Sequence, residues 1–117
     1  MKIRIEVDGT LIIAMLDDNA TAKDFASLLP LTLTLDDYSG TEKISDLPKK
    51  LSTRGAPEGV APVAGDLASY APWGNLAIFY KDFAYSGGLV RLGTVESSSR
   101  PFAHPGSLRV RIEAIED

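Results

Sequence analysis

The amino-acid sequence predicts a mainly β-protein whose strands close into an antiparallel barrel, with one or two short helices. About seven segments carry strand patterns, whereas only one carries a convincing helical pattern. The first and last strands are both strongly patterned, so we expect them to pair with each other and close the barrel. With 117 residues, the chain is expected to form a single domain over residues 1–117.

The N-terminal sixteen residues predict a β-hairpin. Ile3, Ile5 and Val7 alternate with charged residues, which is the period of a strand with one buried face. The Asp-Gly pair at positions 8 and 9 supplies the positive φ angles of a tight turn. Residues 11–16 are nearly all apolar, so we expect the returning strand to be covered on both faces.

One helix is predicted directly after this hairpin. Thr21 is expected to cap it, and Asp24, three residues later, completes the pattern of a capping box. Phe25 and Leu28 belong to a narrow apolar stripe. So short a helix is marginal alone, and we expect it to pack over the sheet.

The rest of the chain reads mostly as strands. The segment "LTLTLDDY" at 31–38 alternates apolar and polar residues, and further strands are predicted at 66–70, 76–80, 89–95 and 108–115. Residues 39–51 give no clear pattern. Residues 52–65 are rich in Gly, Pro and Ala and predict a long loop, which in a small domain is either functional or mobile.

Composition disfavours several classes of partner. The formal net charge of −4 argues against general binding to nucleic acid or to anionic membranes. The chain has no cysteine and no run of about 20 apolar residues, so we expect a cytoplasmic protein without a membrane span.

The sequence offers little catalytic or metal-binding chemistry. The only histidine, His104, lies in a Pro-flanked loop, and we expect it to be an exposed residue rather than a base. We expect neither a cofactor nor a metal ion, since no phosphate-binding motif or ligand cluster is present.

Several segments resemble cyclophilins. The helix "ATAKDFASLLP" and the strand "GLVRLGTV" resemble the corresponding elements of the cyclophilin barrel. "LTLTLDDYSGTEKISDLPKKL" together with "GDLASYAPWGNLAIFY" resembles a small bacterial and archaeal cyclophilin-like family of about this length. The resemblance implies a closed cyclophilin-like β-barrel and no firmly assigned activity. Glu42 and Lys43 lie within the first motif, where an exposed charged turn accounts for them.

The chain departs from the cyclophilin pattern where catalysis is concerned. Cyclophilin-type prolyl isomerases place an arginine in a Phe-His-Arg strand after the first helix, whereas this chain has "LTLTLDDY" there. If "GNLAIFY" matches the second cyclophilin motif, Phe79 takes the place of the groove phenylalanine and Ala77 lies near that of the glutamine. The resemblance therefore implies one retained apolar wall without the polar and cationic groups.

Strand alternation, combined with the resemblance to cyclophilins, indicates which residues would line a ligand-binding groove. Leu76 and Ile78 form the bulkier face and are expected inside the barrel, which leaves Phe79 outside, on the face that cyclophilins use for ligand. Tyr70 and Trp73 are candidates for the rim of the same groove; alternatively, they cap the barrel under the 52–65 loop.

Two arginines complete the candidate set, and three functions stay open. Arg54 in the loop and Arg91 in "GLVRLGTV" are the two candidate arginines for a position within reach of the groove. The favoured hypothesis is a domain that binds a peptide or small-molecule ligand without efficient prolyl isomerase activity. The alternatives are an atypical peptidyl-prolyl cis-trans isomerase that desolvates the prolyl bond against Phe79 and Trp73, and an interaction protein or unknown small-molecule enzyme. The sequence identifies neither the ligand nor the oligomeric state.

Overall fold

The computed structural model describes residues 1–115, which contain ten strands, one α-helix and one 3₁₀ helix. The strands are β1 (Lys2–Val7), β2 (Thr10–Leu16), β3 (Leu31–Tyr38), β4 (Glu42–Asp46), β5 (Gly59–Val60), β6 (Asp66–Tyr70), β7 (Asn75–Phe79), β8 (Ser86–Gly87), β9 (Leu89–Val95) and β10 (Leu108–Ala114). The helix α1 spans Ala20–Ala26, and the 3₁₀ helix spans Arg100–Ala103. No helix within residues 1–115 combines the length and the apolar character that crossing a bilayer requires.

Eight of these strands form a closed antiparallel barrel in the order β1-β10-β3-β4-β7-β6-β9-β2. The first and last strands pair as predicted, with Ile5 opposite Ile112. β5 and β8 form a separate two-stranded sheet, so the segment predicted as a 52–65 loop contains a short strand. The mainly β fold and the barrel closure are therefore confirmed.

The barrel interior holds the main hydrophobic core. Alternate residues of β1 and β10 point inward, and Ile3, Ile5 and Ile112 are fully buried. The prediction that β2 is covered on both faces is wrong. Leu11 is exposed and Ile13 is only half-buried, because the outer side of this strand faces solvent.

The predicted cap of α1 is also wrong. The capping residue is Asn19, whose Oδ1 accepts a hydrogen bond from the Ala22 amide at 2.7 Å. Thr21 lies inside the helix and donates its hydroxyl to the Ser52 carbonyl at 2.6 Å. Asp24 accepts a hydrogen bond from the Ser52 amide at 2.7 Å. Both residues therefore anchor the chain around residue 52 to the helix instead of capping it.

The segment without a clear pattern contains β4, which carries a buried lysine. Lys43 lies opposite Ile78 of β7, and paired residues of neighbouring strands point to the same side of a sheet. Since Ile78 belongs to the core, Lys43 points into the barrel, and its side chain is fully buried. The interpretation of Glu42 and Lys43 as an exposed charged turn is therefore wrong.

The buried ammonium is compensated by polar groups at one end of the barrel. Lys43 Nζ donates to the Gly106 carbonyl at 2.6 Å and lies 3.4 Å from Asp37 Oδ1. The Tyr80 hydroxyl donates to the same carboxylate, and its ring centroid lies 5.9 Å from Nζ. We call Asp37, Lys43 and Tyr80 the polar plug. A buried ammonium is costly unless it is paired in this way.

Removing the ammonium should therefore destabilise the barrel. We expect Lys43→Met to lower the free energy of unfolding by about 1 to 3 kcal/mol, because the Gly106 carbonyl loses its donor and Asp37 loses its cation. The matched control is Lys81→Met, at an exposed position. Urea denaturation checks this. Equal midpoints for the two variants would show that the plug contributes nothing to stability.

Candidate ligand-binding site

A cavity of about 380 Å³ lies on the outer face of the barrel, where β3, β4, β6 and β7 run side by side. Its wall includes Tyr38, Glu42, Tyr70, Trp73 and Phe79. Three of these, Tyr70, Trp73 and Phe79, are candidates from the sequence, and the structure brings them together. Whether they bind a ligand stays a prediction.

Alternation along β7 places Phe79 at the base of this cavity. Leu76 and Ile78 belong to the barrel core, whereas Ala77 and Phe79 belong to a second apolar cluster on the other side of the strand. Phe79 is almost fully buried in that cluster. It therefore forms a fixed floor rather than a mobile rim.

Three aromatic rings form the rim. Trp73 lies between Tyr38 and Tyr70, with ring centroids 5.5 and 5.2 Å away and interplanar angles of 82° and 83°. Near-perpendicular pairs at this separation are a favourable arrangement of aromatic rings. Trp73 nevertheless remains 51% exposed, so much of its ring is available to a ligand.

A short flap, formed by β5 and β8, borders the cavity. Ser86 and Gly87 of β8 line it, and Val60 of β5 packs against the cluster beneath. The two strands approach so closely that a Cβ on Gly59 would lie 2.3 Å from the Ser86 carbonyl oxygen. The glycine is therefore required for the flap to pair.

Glu42 brings a carboxyl group into this apolar surrounding. It lies on the opposite side of β4 from Lys43, and its register partners are Tyr38 on β3 and Phe79 on β7. Burial, with a smaller contribution from the negative charge of Asp37, raises the pKa of Glu42 to about 7. Among the lining residues that the structure describes, Glu42 alone has an acidic or basic side chain.

Asn75 supplies a second polar group to the wall. Its side chain is buried, and its Oδ1 accepts a hydrogen bond from the Tyr70 amide at 2.9 Å. This bond fixes the backbone at the start of the aromatic rim. The side chain of Asn75 retains its amide NH₂ donors and one lone pair of Oδ1 for further hydrogen bonds.

The two candidate arginines lie elsewhere. Arg91 Nε is 3.1 Å from Asp17 Oδ2, and the Arg91 carbonyl accepts a hydrogen bond from Asn19. Arg54 is exposed in the segment between β4 and β5. Neither arginine is among the residues that line the cavity.

Sequence reasoning missed Glu42, because an adjacent Glu-Lys pair is typical of an exposed turn. The sequence pattern that could have identified Glu42 is the alternation in "EKISD". In a strand, Lys43 and Ser45 share one face, and Glu42 and Ile44 share the other. Reading this segment as a strand would have separated the two charges onto opposite faces.

The raised pKa of Glu42 predicts a pH-dependent effect on stability. Because the folded-state pKa of about 7 lies above the ordinary value of 4.5, the wild type loses stability as the pH rises between these values. Glu42→Gln cannot ionise and avoids this loss. We expect it to match the wild type near pH 4.5 and to be about 1 to 2 kcal/mol more stable at pH 8, after discounting for partial exposure.

Chemical denaturation of both proteins across this pH range checks this prediction. The matched control is Glu6→Gln, on the exposed face of β1. A stability difference between Glu42→Gln and wild type that is constant from pH 4.5 to pH 8 would contradict it.

Comparison with known proteins agrees with the fold. The model of a family described as the cyclophilin-like family matches residues 5–113. The chain is similar to the solution structure of the hypothetical protein AF2241 from Archaeoglobus fulgidus, with 17% identity and a TM-score of 0.67. That similarity covers 98% of this chain and 95% of the other, and at this identity it shows the fold alone. No curated protein is a significant match.

Proposed function

The chain belongs to the cyclophilin-like family, and we propose that it is a ligand-binding domain that holds a small molecule or short peptide without efficient prolyl isomerase activity. The observation that carries the proposal is the cavity over Phe79, rimmed by Tyr38, Trp73 and Tyr70. The cavity lies on the face of the barrel where the resemblance to cyclophilins predicts that a ligand binds.

The size and lining of the cavity support binding. About 380 Å³ lies within the range of small-molecule sites, which are typically apolar with a few polar groups. Glu42 and Asn75 supply such groups here. Trp73 and Phe83 are each about half exposed at the mouth, and a ligand would remove their apolar surface from water.

The positions of the arginines support the absence of efficient isomerisation. In cyclophilins, an arginine held beside the prolyl bond stabilises the twisted amide. Arg91 is held by Asp17 in this chain, and Arg54 is an exposed loop residue. Electrostatic catalysis depends on groups that are already in place, which neither arginine offers at the cavity.

A prolyl isomerase assay tests this part of the proposal. With micromolar protein, we expect a proline tetrapeptide to isomerise at close to its uncatalysed rate, over tens to hundreds of seconds at 25 °C. Strong acceleration that Phe79→Ala abolishes would contradict the proposal and support an atypical isomerase.

The fluorescence of Trp73, the only tryptophan of the chain, reports on binding itself. We expect some members of a panel of peptides and small metabolites to shift its emission. Phe83→Ala should weaken these responses, because it removes a half-exposed ring from the wall. A panel without any saturable response would count against a binding role.

A further inference from the structure

One corner of the cavity combines aromatic rings with an unneutralised carboxyl group. Tyr38 and Tyr70 flank Trp73, and Glu42 lies beside Tyr38 in the β3–β4 register. We propose that the ligand of this cavity is a small organic cation, with an alkylammonium or quaternary ammonium group bound between the rim and Glu42. The inference rests on the proposed binding function of the cavity.

The rim supplies the first part of the recognition. The face of an aromatic ring is negatively polarised and attracts ammonium groups, tryptophan most strongly. Because each tyrosine ring stands nearly perpendicular to Trp73, the three rings do not form one flat platform. Several rings around one site form the kind of aromatic cage that recognises quaternary ammonium groups.

Glu42 supplies the second part. Its register partners Tyr38 and Phe79 are both aromatic, and Glu42 is half-buried, so its carboxylate has exchanged part of its water for apolar neighbours. A partly buried carboxylate without a cation is unfavourable, and a bound ammonium would provide the missing charge. The direction of its pKa shift agrees with a carboxylate that has no such partner.

The neighbouring charged groups do not neutralise Glu42. On β3 its register partner is the neutral Tyr38, whereas the acidic Asp37 is the partner of Lys43 on the other side of the sheet and reaches Glu42 only as a nearby negative charge. Lys43, the next residue on β4, points to the barrel interior and donates to Gly106. Tyr80, the residue directly after β7, donates its hydroxyl to Asp37. Burial, followed by this hydrogen bond and the negative charges of Asp37 and Glu42, raises the pKa of that hydroxyl to about 12. Within the described wall, Tyr70 of β6 is the remaining titratable group.

The negative charge of Glu42 favours a cationic ligand over an anionic or a neutral one. An anionic ligand would lie beside Glu42, in a protein whose formal net charge is −4. A neutral ligand would leave the ionised carboxylate unpaired or require it to be protonated. A cation is the occupant that gains from both the rings and the carboxylate.

Choline and its uncharged isostere 3,3-dimethyl-1-butanol test the inference. They share a shape and differ in charge, and ¹H–¹⁵N NMR titration measures the affinity of each. At pH 8 we expect choline to bind at least about tenfold more tightly than the alcohol. Because choline binds the ionised form of Glu42 preferentially, it should bind about fivefold more weakly at pH 6 than at pH 8, whereas the alcohol should not weaken.

The variant Glu42→Gln removes the charge of the side chain and keeps nearly the same shape, so it tests the contribution of the carboxylate charge to binding. It should bind choline about tenfold more weakly than wild type at pH 8, lose the pH dependence and retain its affinity for the alcohol. Glu6→Gln, far along the chain on an exposed face of β1, should behave as wild type.

Two results would overturn the inference. If the alcohol binds as tightly as choline, or if Glu42→Gln leaves choline binding unchanged, the cavity does not select cations, although the proposed binding function stands. If neither compound binds, the cation inference fails, and the peptide and metabolite panel then decides the binding function separately.

Discussion

The architecture of the site depends on the orientation of Lys43 in β4. Its ammonium reaches the Gly106 carbonyl and Asp37 from inside the barrel. Since successive residues of a strand point to opposite faces, an inward Lys43 requires an outward Glu42. A register slip of one residue would place the carboxyl group in the core and the lysine in the cavity. The polar plug therefore determines that the cavity contains the carboxyl group of Glu42 and not the ammonium group of Lys43.

The same alternation on β7 builds the floor of the cavity. Ile78 fills the barrel beside Lys43, and Phe79 lies outside beside Glu42. Trp73 enters from the turn between β6 and β7, where it contacts tyrosines from two different strands. A single pattern of inward and outward residues thus gives a closed core on one side and an aromatic, acidic cavity on the other.

The sequence was a good guide wherever local pattern decides the structure. The hairpin, the pairing of the first and last strands and the outward position of Phe79 all follow from strand alternation. The cap of α1 could not be predicted, because Thr21 and Asp24 instead hydrogen-bond to Ser52, about thirty residues away. Such long-range partners leave no local signal.

The charged residues were the hardest to place. Lysine is rarely buried, so composition argues against the interior position of Lys43. Arg91 lies on a strand predicted correctly, but its partner Asp17 comes from the distant segment between β2 and α1. The alternation pattern of a strand predicts which face of the sheet a side chain lies on, but it does not predict the partner of an ion pair.

The most direct test of this account is the titration of the Glu42 carboxyl carbon by ¹³C NMR. In the free protein, the pKa should be about 7. Saturation with tetramethylammonium should lower that pKa by about one unit or more, since a cation that prefers the ionised form must stabilise it in return. A free-protein pKa near the ordinary glutamate value of 4.5, or a raised pKa that the cation leaves unchanged, would contradict the assignment of Glu42 as the ligand's partner.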